Sequence, residues 1–119
     1  MDASEALEDV TAMIVAIAEL SGARALPLPT YPGWKPDPAS PVLTVVKTAY
    51  ARLFGKAPSV SAVHAGLECG VLKGKMPATD MVSFGPTIHG AHSTRERVHI
   101  PSVATFYQLL VACLADIKA

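Results

Sequence analysis

Apolar positions recur with helical spacing in three stretches of this chain, and shorter apolar runs between them read as strands. Between residues 2 and 21, Leu7, Val10, Ile14 and Ile17 fall at i, i+3, i+7 and i+10. Asp2 and Glu5 have capping-box spacing, and Gly22 follows as a stop. Met13, Val15 and Ala16 widen the apolar surface, so this helix is expected to pack on more than one side. Ser40 and Pro41 make an N-cap and first turn for a second helix, with Leu43, Val46, Tyr50 and Leu53 on its apolar face and Gly55 at its end. A last helix is expected from about Ser102 to Lys118, with Val103, Phe106, Leu110 and Leu114 on its core face and Lys118 favourable at the C-terminal dipole.

Ala23 to Leu28 reads as a short strand that Pro27 and Pro29 confine to a sheet edge. Val60 to His64 reads as a buried strand and Met81 to Phe84 as another, with a short helix over Ala65 to Leu72 that breaks near Gly74. From residue 41 the order is therefore α-β-α-β-α, which predicts an α/β fold with helices packed on a largely parallel sheet. Two core strands make a thin sheet, since an independent α/β domain averages roughly five or six. Tyr31 to Pro41 holds four prolines and Gly33, which excludes regular structure and leaves a connector between two units or a stiff surface loop. No internal repeat is visible.

Composition sharpens the suspicion raised by the thin sheet. Of 119 residues, 50% are hydrophobic and 17% charged, against roughly 25% charged in an average globular domain. A small domain has proportionally more surface to cover with polar groups, so this balance implies oligomerisation or a surface shaped to meet other protein. Ten cationic and ten anionic side chains leave a net charge of +0, with no electrostatic footprint for nucleic acid or anionic membrane. The apolar run from Val10 to Leu20 is too short to span a bilayer and carries Glu19. Acidic residues precede it where a secretory signal would place positive charge. Cys69 and Cys113 form no CxxC pair and fit single buried thiols in a reducing compartment. The expectation is a cytoplasmic protein with neither nucleic-acid nor membrane partners.

The candidate chemistry gathers in Asp80–Ser93, where an apolar segment runs into a glycine-rich loop presenting His89 and His92. Loops past strand ends carry function on a rigid scaffold. His92, between Gly90-Ala91 and Ser93, has small neighbours, so a ring nitrogen can reach a metal or substrate; a solvated or hydrogen-bonded loop histidine is the plainer alternative. His89 adds a second imidazole, yet a zinc site needs about three or four ligands. His64 reads as a core histidine at a strand end. Glu68, beside Cys69 and Gly70, is placed either to meet a ligand's amine or simply to favour a helix N-terminus. Cys69 lacks an activating base, Ser93 lacks a Gly-x-Ser-x-Gly elbow, His99 reads as ordinary packing, and no phosphate-cradling glycine loop is present.

Several ordered motifs together resemble a known family. Tyr31-Pro-Gly-Trp34, Pro36-Asp37, Ser40-Pro41, His64-Ala-Gly-Leu-Glu-Cys-Gly70, Ser83-Phe-Gly-Pro-Thr-Ile88, Gly90-Ala-His-Ser93 and Val98-His-Ile100 look like the C-terminal part of bacterial aminoacyl-histidine dipeptidases, carnosinase-like cytosolic metallopeptidases with two zinc ions. The resemblance spans essentially the whole chain but only about the last quarter of such an enzyme. It implies a partial three-layer α/β/α catalytic domain preceded by a helix-strand remnant of a lid domain. Residues 1–30 would be the end of the lid, 31–41 the proline-rich crossing, and 42–119 the closing part of the catalytic domain.

By the same resemblance His92 would be the last protein ligand to one zinc, and Glu68 and Gly70 would line the dipeptide pocket. His89 occupies a position the family does not hold to histidine. Thr94 and Arg95 depart from the Pro-acid pair that commonly follows the His-Ser, a departure that bears on loop shape, while Glu96 keeps an acidic residue. The general-base glutamate, the bridging aspartate and the remaining ligands belong to a portion this chain does not match. Hydrolysis on zinc needs most of the ligand set and a nearby carboxylate. The expectation is thus a fragment of a dipeptidase acting on Xaa-His dipeptides, inactive alone and completed by the N-terminal remainder. Two other readings stand beside it: a non-catalytic α/β remnant that self-associates, and a small autonomous metal-binding protein using His89, His92 and either His64 or Glu68.

Overall fold

Ser40 shows how local sequence sets the best-defined helix. In the computed structural model, which describes residues 3–28, 33–63 and 68–117, Ser40 stands at the N-cap of the helix Pro41–Phe54. Its Oγ accepts from the Leu43 N–H at 3.0 Å, and Gly55 closes the helix in the left-handed conformation with its N–H on the Ala51 carbonyl. In chain order the elements are α1 (Ala3–Leu20), α2 (Pro41–Phe54), α3 (Glu68–Lys75), β1 (Ile88–His89), β2 (Arg97–Val98) and α4 (Ile100–Asp116). The architecture is mixed α/β. Two units divide the chain, one built from Met1–Lys35 and His64–Thr79, the other from Pro36–Val63 and Asp80–Ala119.

In the first unit, α1 ends as expected. The Ala23 N–H reaches the Ala18 carbonyl (2.9 Å) and the Gly22 N–H that of Glu19 (3.0 Å), the paired bonds of a Schellman motif. The cap expected at Asp2 lies outside the described residues. The apolar stripe does not become a core: Leu7, Val10, Met13, Ile14, Ile17 and Leu20 are all exposed, so the packing on several sides that the pattern implies is not made. The strand expected over Ala23–Leu28 is absent, and Leu26 and Leu28 are exposed; an isolated extended segment has no ladder to satisfy its backbone. Helix α3 runs through Gly74 to Lys75. Its stop is Pro77, which restricts Met76 before it.

In the second unit, α2 and α4 pack through Val46, Ala49, Leu109 and Cys113, with Val45, Tyr50, Phe54, Val82, Phe84 and Ala112 around them. Ala49 is fully buried. Tyr50 and Phe54 meet edge-on with ring centroids 4.7 Å apart, Phe84 and Phe106 lie at 5.6 Å, and Arg52 pairs with Asp116 at 2.8 Å. The buried faces overlap the expected ones only in part: Val46 is buried and Leu43, Tyr50, Phe106 and Leu110 are half-buried as expected. Leu53, Val103 and Leu114 are exposed while Ala49, Leu109 and Cys113 are buried, because both helices are apolar over a wide arc and the partner helix selects the stripe. Helix α4 begins at Ile100, two residues before Ser102, with Pro101 in its first turn; Lys118 lies outside the described residues.

The expected parallel strands do not form. Val60–Val63 is irregular and exposed, and His64 lies outside the described residues. Met81–Phe84 forms no strand either, with Met81, Val82 and Phe84 half-buried and Ser83 exposed. The β pairing among the described residues is the antiparallel ribbon β1·β2, with Ile88 opposite Val98 and His89 opposite Arg97. Parallel strands need neighbours across the sheet, and those that would flank these segments are not present among the described residues.

Candidate functional site

The β1·β2 ribbon exists to hold its loop. Its base is tied to the start of α4: the Thr87 N–H donates to Ser102 Oγ (2.8 Å), that hydroxyl donates to the His99 carbonyl (2.6 Å), and the His99 N–H donates to the Thr87 carbonyl (2.9 Å). Residues 90–96 then turn tightly. The Ser93 N–H and Oγ both donate to the Gly90 carbonyl, at 3.1 and 2.6 Å. Ser93 Oγ also accepts from the Arg95 N–H at 3.2 Å, and the Glu96 N–H donates to the Ser93 carbonyl at 3.1 Å. Gly90 has φ +64°, and a Cβ there would lie 3.1 Å from both the Arg95 carbonyl oxygen and Ser93 Oγ. Only glycine meets both demands without displacement of the loop.

His92 sits at the turn's apex with φ 60°, the non-glycine residue in the left-handed region among the described residues. That conformation costs an ordinary L-residue roughly 1–2 kcal/mol. The cost is offset locally: the His92 N–H donates to Glu96 Oε2 at 2.7 Å, a short bond to a carboxylate. Its side chain is exposed. The arrangement therefore presents one imidazole to solvent on a backbone fixed from several directions.

The other expected site residues lie elsewhere. Glu68 opens α3 in the first unit, exposed, and Gly70 is buried two residues on. The motif's first residues, His64 to Leu67, fall outside the described residues. His89 lies on β1 opposite Arg97 and, with Arg97, Val98, His99, Ile100 and Pro101, lines an open depression beside the ribbon. Cys113 is buried in the α2·α4 core, where desolvation, reinforced by Asp116 and opposed by Arg52, raises its thiol above the ordinary cysteine range. Such a thiol is a packing group.

Among the described residues, no group of three or more His, Cys, Asp or Glu side chains comes together to hold a metal ion. His92 by itself offers one exposed nitrogen donor, a single place in a ligand set. Sequence reasoning missed two carboxylates. Glu96 was noted as acidic but not as the partner of the His92 backbone. Asp80 accepts from Ser40 Oγ (2.9 Å) and from the Val42 N–H (2.8 Å), joining the start of α2 to the segment that leads into the ribbon. The signal for Asp80 was the buried N-cap hydroxyl, which required an acceptor.

No family model matches the chain. It is 47% identical over 110 residues to the cytosol non-specific dipeptidase of Escherichia coli (strain K12), a match covering 92% of this chain and 23% of that protein. The crystal structure of aminoacylhistidine dipeptidase from Vibrio alginolyticus superposes with a TM-score of 0.72 at 42% identity, over 93% of this chain and 23% of the other. The chain is homologous to part of these dipeptidases. It spans about a quarter of their length, consistent with a C-terminal portion. Three of the seven motifs meet at the ribbon: Ser83–Ile88 leads into β1, Gly90–Ser93 makes the turn, and Val98–Ile100 joins β2 to α4. No helix among the described residues is long and apolar enough to cross a membrane.

Proposed function

We propose that this chain is the C-terminal piece of a two-zinc, cytoplasmic dipeptidase acting on Xaa-His dipeptides, and that it contributes His92 as one zinc ligand. The observation that carries the reading is His92 itself, the apex of a hydrogen-bonded turn within a chain 47% identical to a dipeptidase over 110 residues. Glu68 and Gly70 would line the dipeptide pocket, the carboxylate facing a substrate amine. Residues 1–30 would close the lid, 31–41 cross between domains, and 42–119 complete a three-layer catalytic domain. Zinc, when bound, supplies Lewis acidity and activates water near neutral pH. This chain's residues hold one ligand and shape the pocket, while the base and other ligands come from the N-terminal remainder.

The surface supports a missing remainder. The apolar stripe of α1 stays exposed, and the hydrophobic core among the described residues holds only Val46, Ala49, Leu109 and Cys113 as buried side chains. The exposed stripe on α1 equally favours the second reading, a remnant that self-associates. Replacing the matching segment of the E. coli homologue with this chain separates the two. The chimera should hydrolyse Xaa-His dipeptides and lose nearly all of that activity on His92→Ala, since a catalytic metal needs its ligand set fixed. An inactive but folded chimera, or one indifferent to His92→Ala, would sink the proposal.

A further inference from the structure

The structure assigns Glu96 as the residue that positions His92 for metal binding, an inference that rests on the zinc-ligand reading above. Three observations lead to it. His92 is held at φ 60°, a conformation in which Cβ leaves the backbone in a direction that ordinary extended or helical residues do not reach. The bond fixing that conformation comes from a side chain four residues on, the Glu96 carboxylate accepting the His92 N–H at 2.7 Å. Glu96 is itself fixed, because its own N–H is bound to the Ser93 carbonyl at 3.1 Å while Ser93 is doubly bonded to Gly90. The loop is thus a chain of bonds from Gly90 through Ser93 to Glu96 that closes back on His92.

A carboxylate in this place does work that a neutral backbone acceptor would do less well. It pairs a formal negative charge with the amide of the proposed ligand, and charge-assisted bonds of this kind are shorter and stronger than neutral ones. A ligand whose Cα is already placed gives up less freedom when it binds a metal. Groups that orient metal ligands typically change metal affinity by about 10- to 100-fold when removed. Glu96 does so here through the main chain, not through the imidazole.

The test uses the ¹⁵N-labelled 119-residue chain with Co²⁺ alone as probe, read by NMR. In the wild-type chain, Co²⁺ should broaden signals around His92, and His92→Ala should abolish that broadening. Glu96→Ala should shift the His92 amide upfield, change its backbone coupling and weaken Co²⁺ binding at His92 by about 10-fold. Glu96→Gln, which keeps an acceptor oxygen, should restore most of both, with thermal unfolding unchanged between the two variants. If Glu96→Ala leaves the His92 amide where it was, the assignment is wrong. If the amide moves but Co²⁺ affinity does not, Glu96 shapes the turn without positioning a ligand, and the assignment is again wrong. Broadening in the wild-type chain that survives His92→Ala would instead remove the ligand reading itself, a distinct failure.

Discussion

Removing the Asp80 carboxylate should destabilise the helix pair by about 2 kcal/mol. Asp80 accepts from Ser40 Oγ at 2.9 Å and from the Val42 N–H at 2.8 Å, so Asp80→Ala strips acceptors from two donors at the start of α2. Ser40 is only 3% exposed, which limits replacement by water. Losing a helix-start bond costs about 1 kcal/mol and losing a negative charge at a helix N-terminus a further 0.3–1 kcal/mol, roughly, with part of a kcal/mol for the Ser40 hydroxyl. Ser40→Ala alone should cost about 1–1.5 kcal/mol, because it also frees the Leu43 N–H. The two changes remove one shared bond, so the double variant should fall short of their sum by about 1 kcal/mol. Urea unfolding followed by far-ultraviolet circular dichroism measures all three, and a loss of 2 kcal/mol corresponds to roughly 8–16 °C in Tm for a unit of this size. Additivity of the two substitutions to within about 0.3 kcal/mol would refute the shared bond.

Ala49 is fully buried against α4, so Ala49→Leu should overpack the crossing and cost about 1–3 kcal/mol in the same unfolding assay. Burial raises the Cys113 thiol above the ordinary cysteine range, with Asp116 adding to the effect. The folded chain therefore holds this proton more tightly than the unfolded one, so its contribution to stability is intact below the unfolded thiol's pKa, about 8.5, and declines as pH rises past it, a contribution that Cys113→Ala should remove. The exposed Leu7, Ile14 and Ile17 of α1 should make the isolated chain associate, which sedimentation velocity detects; a monodisperse monomer is the contrary result. Zinc added to that isolated chain should produce no dipeptidase turnover, and a chromogenic or chromatographic assay of a Xaa-His dipeptide checks it.

The sequence by itself determined that helices form and where some of them end. Gly22 for α1 and Ser40-Pro41 and Gly55 for α2 act within a few residues, and a helix satisfies its backbone hydrogen bonds inside its own segment, whereas α3 runs past the expected break at Gly74 and α4 begins two residues before Ser102. The homologous motifs were legible for a related reason, since they are runs of contiguous residues, and so was the placement of His92 on a loop. Strands were not legible in this way. Val60–Val63 and Met81–Phe84 have the composition of strands, but a strand exists only beside a partner, and the pairing that formed joins Ile88–His89 to Arg97–Val98 instead. Tertiary structure also buried Leu109 and Cys113 of α4 and left Leu110 half-buried, because two adjacent apolar positions are separated only by the face a neighbour presents. It decided the conformation of His92 as well. Spacing of four residues reads as a helical pair, and only the folded turn brings the Glu96 carboxylate back onto the His92 amide.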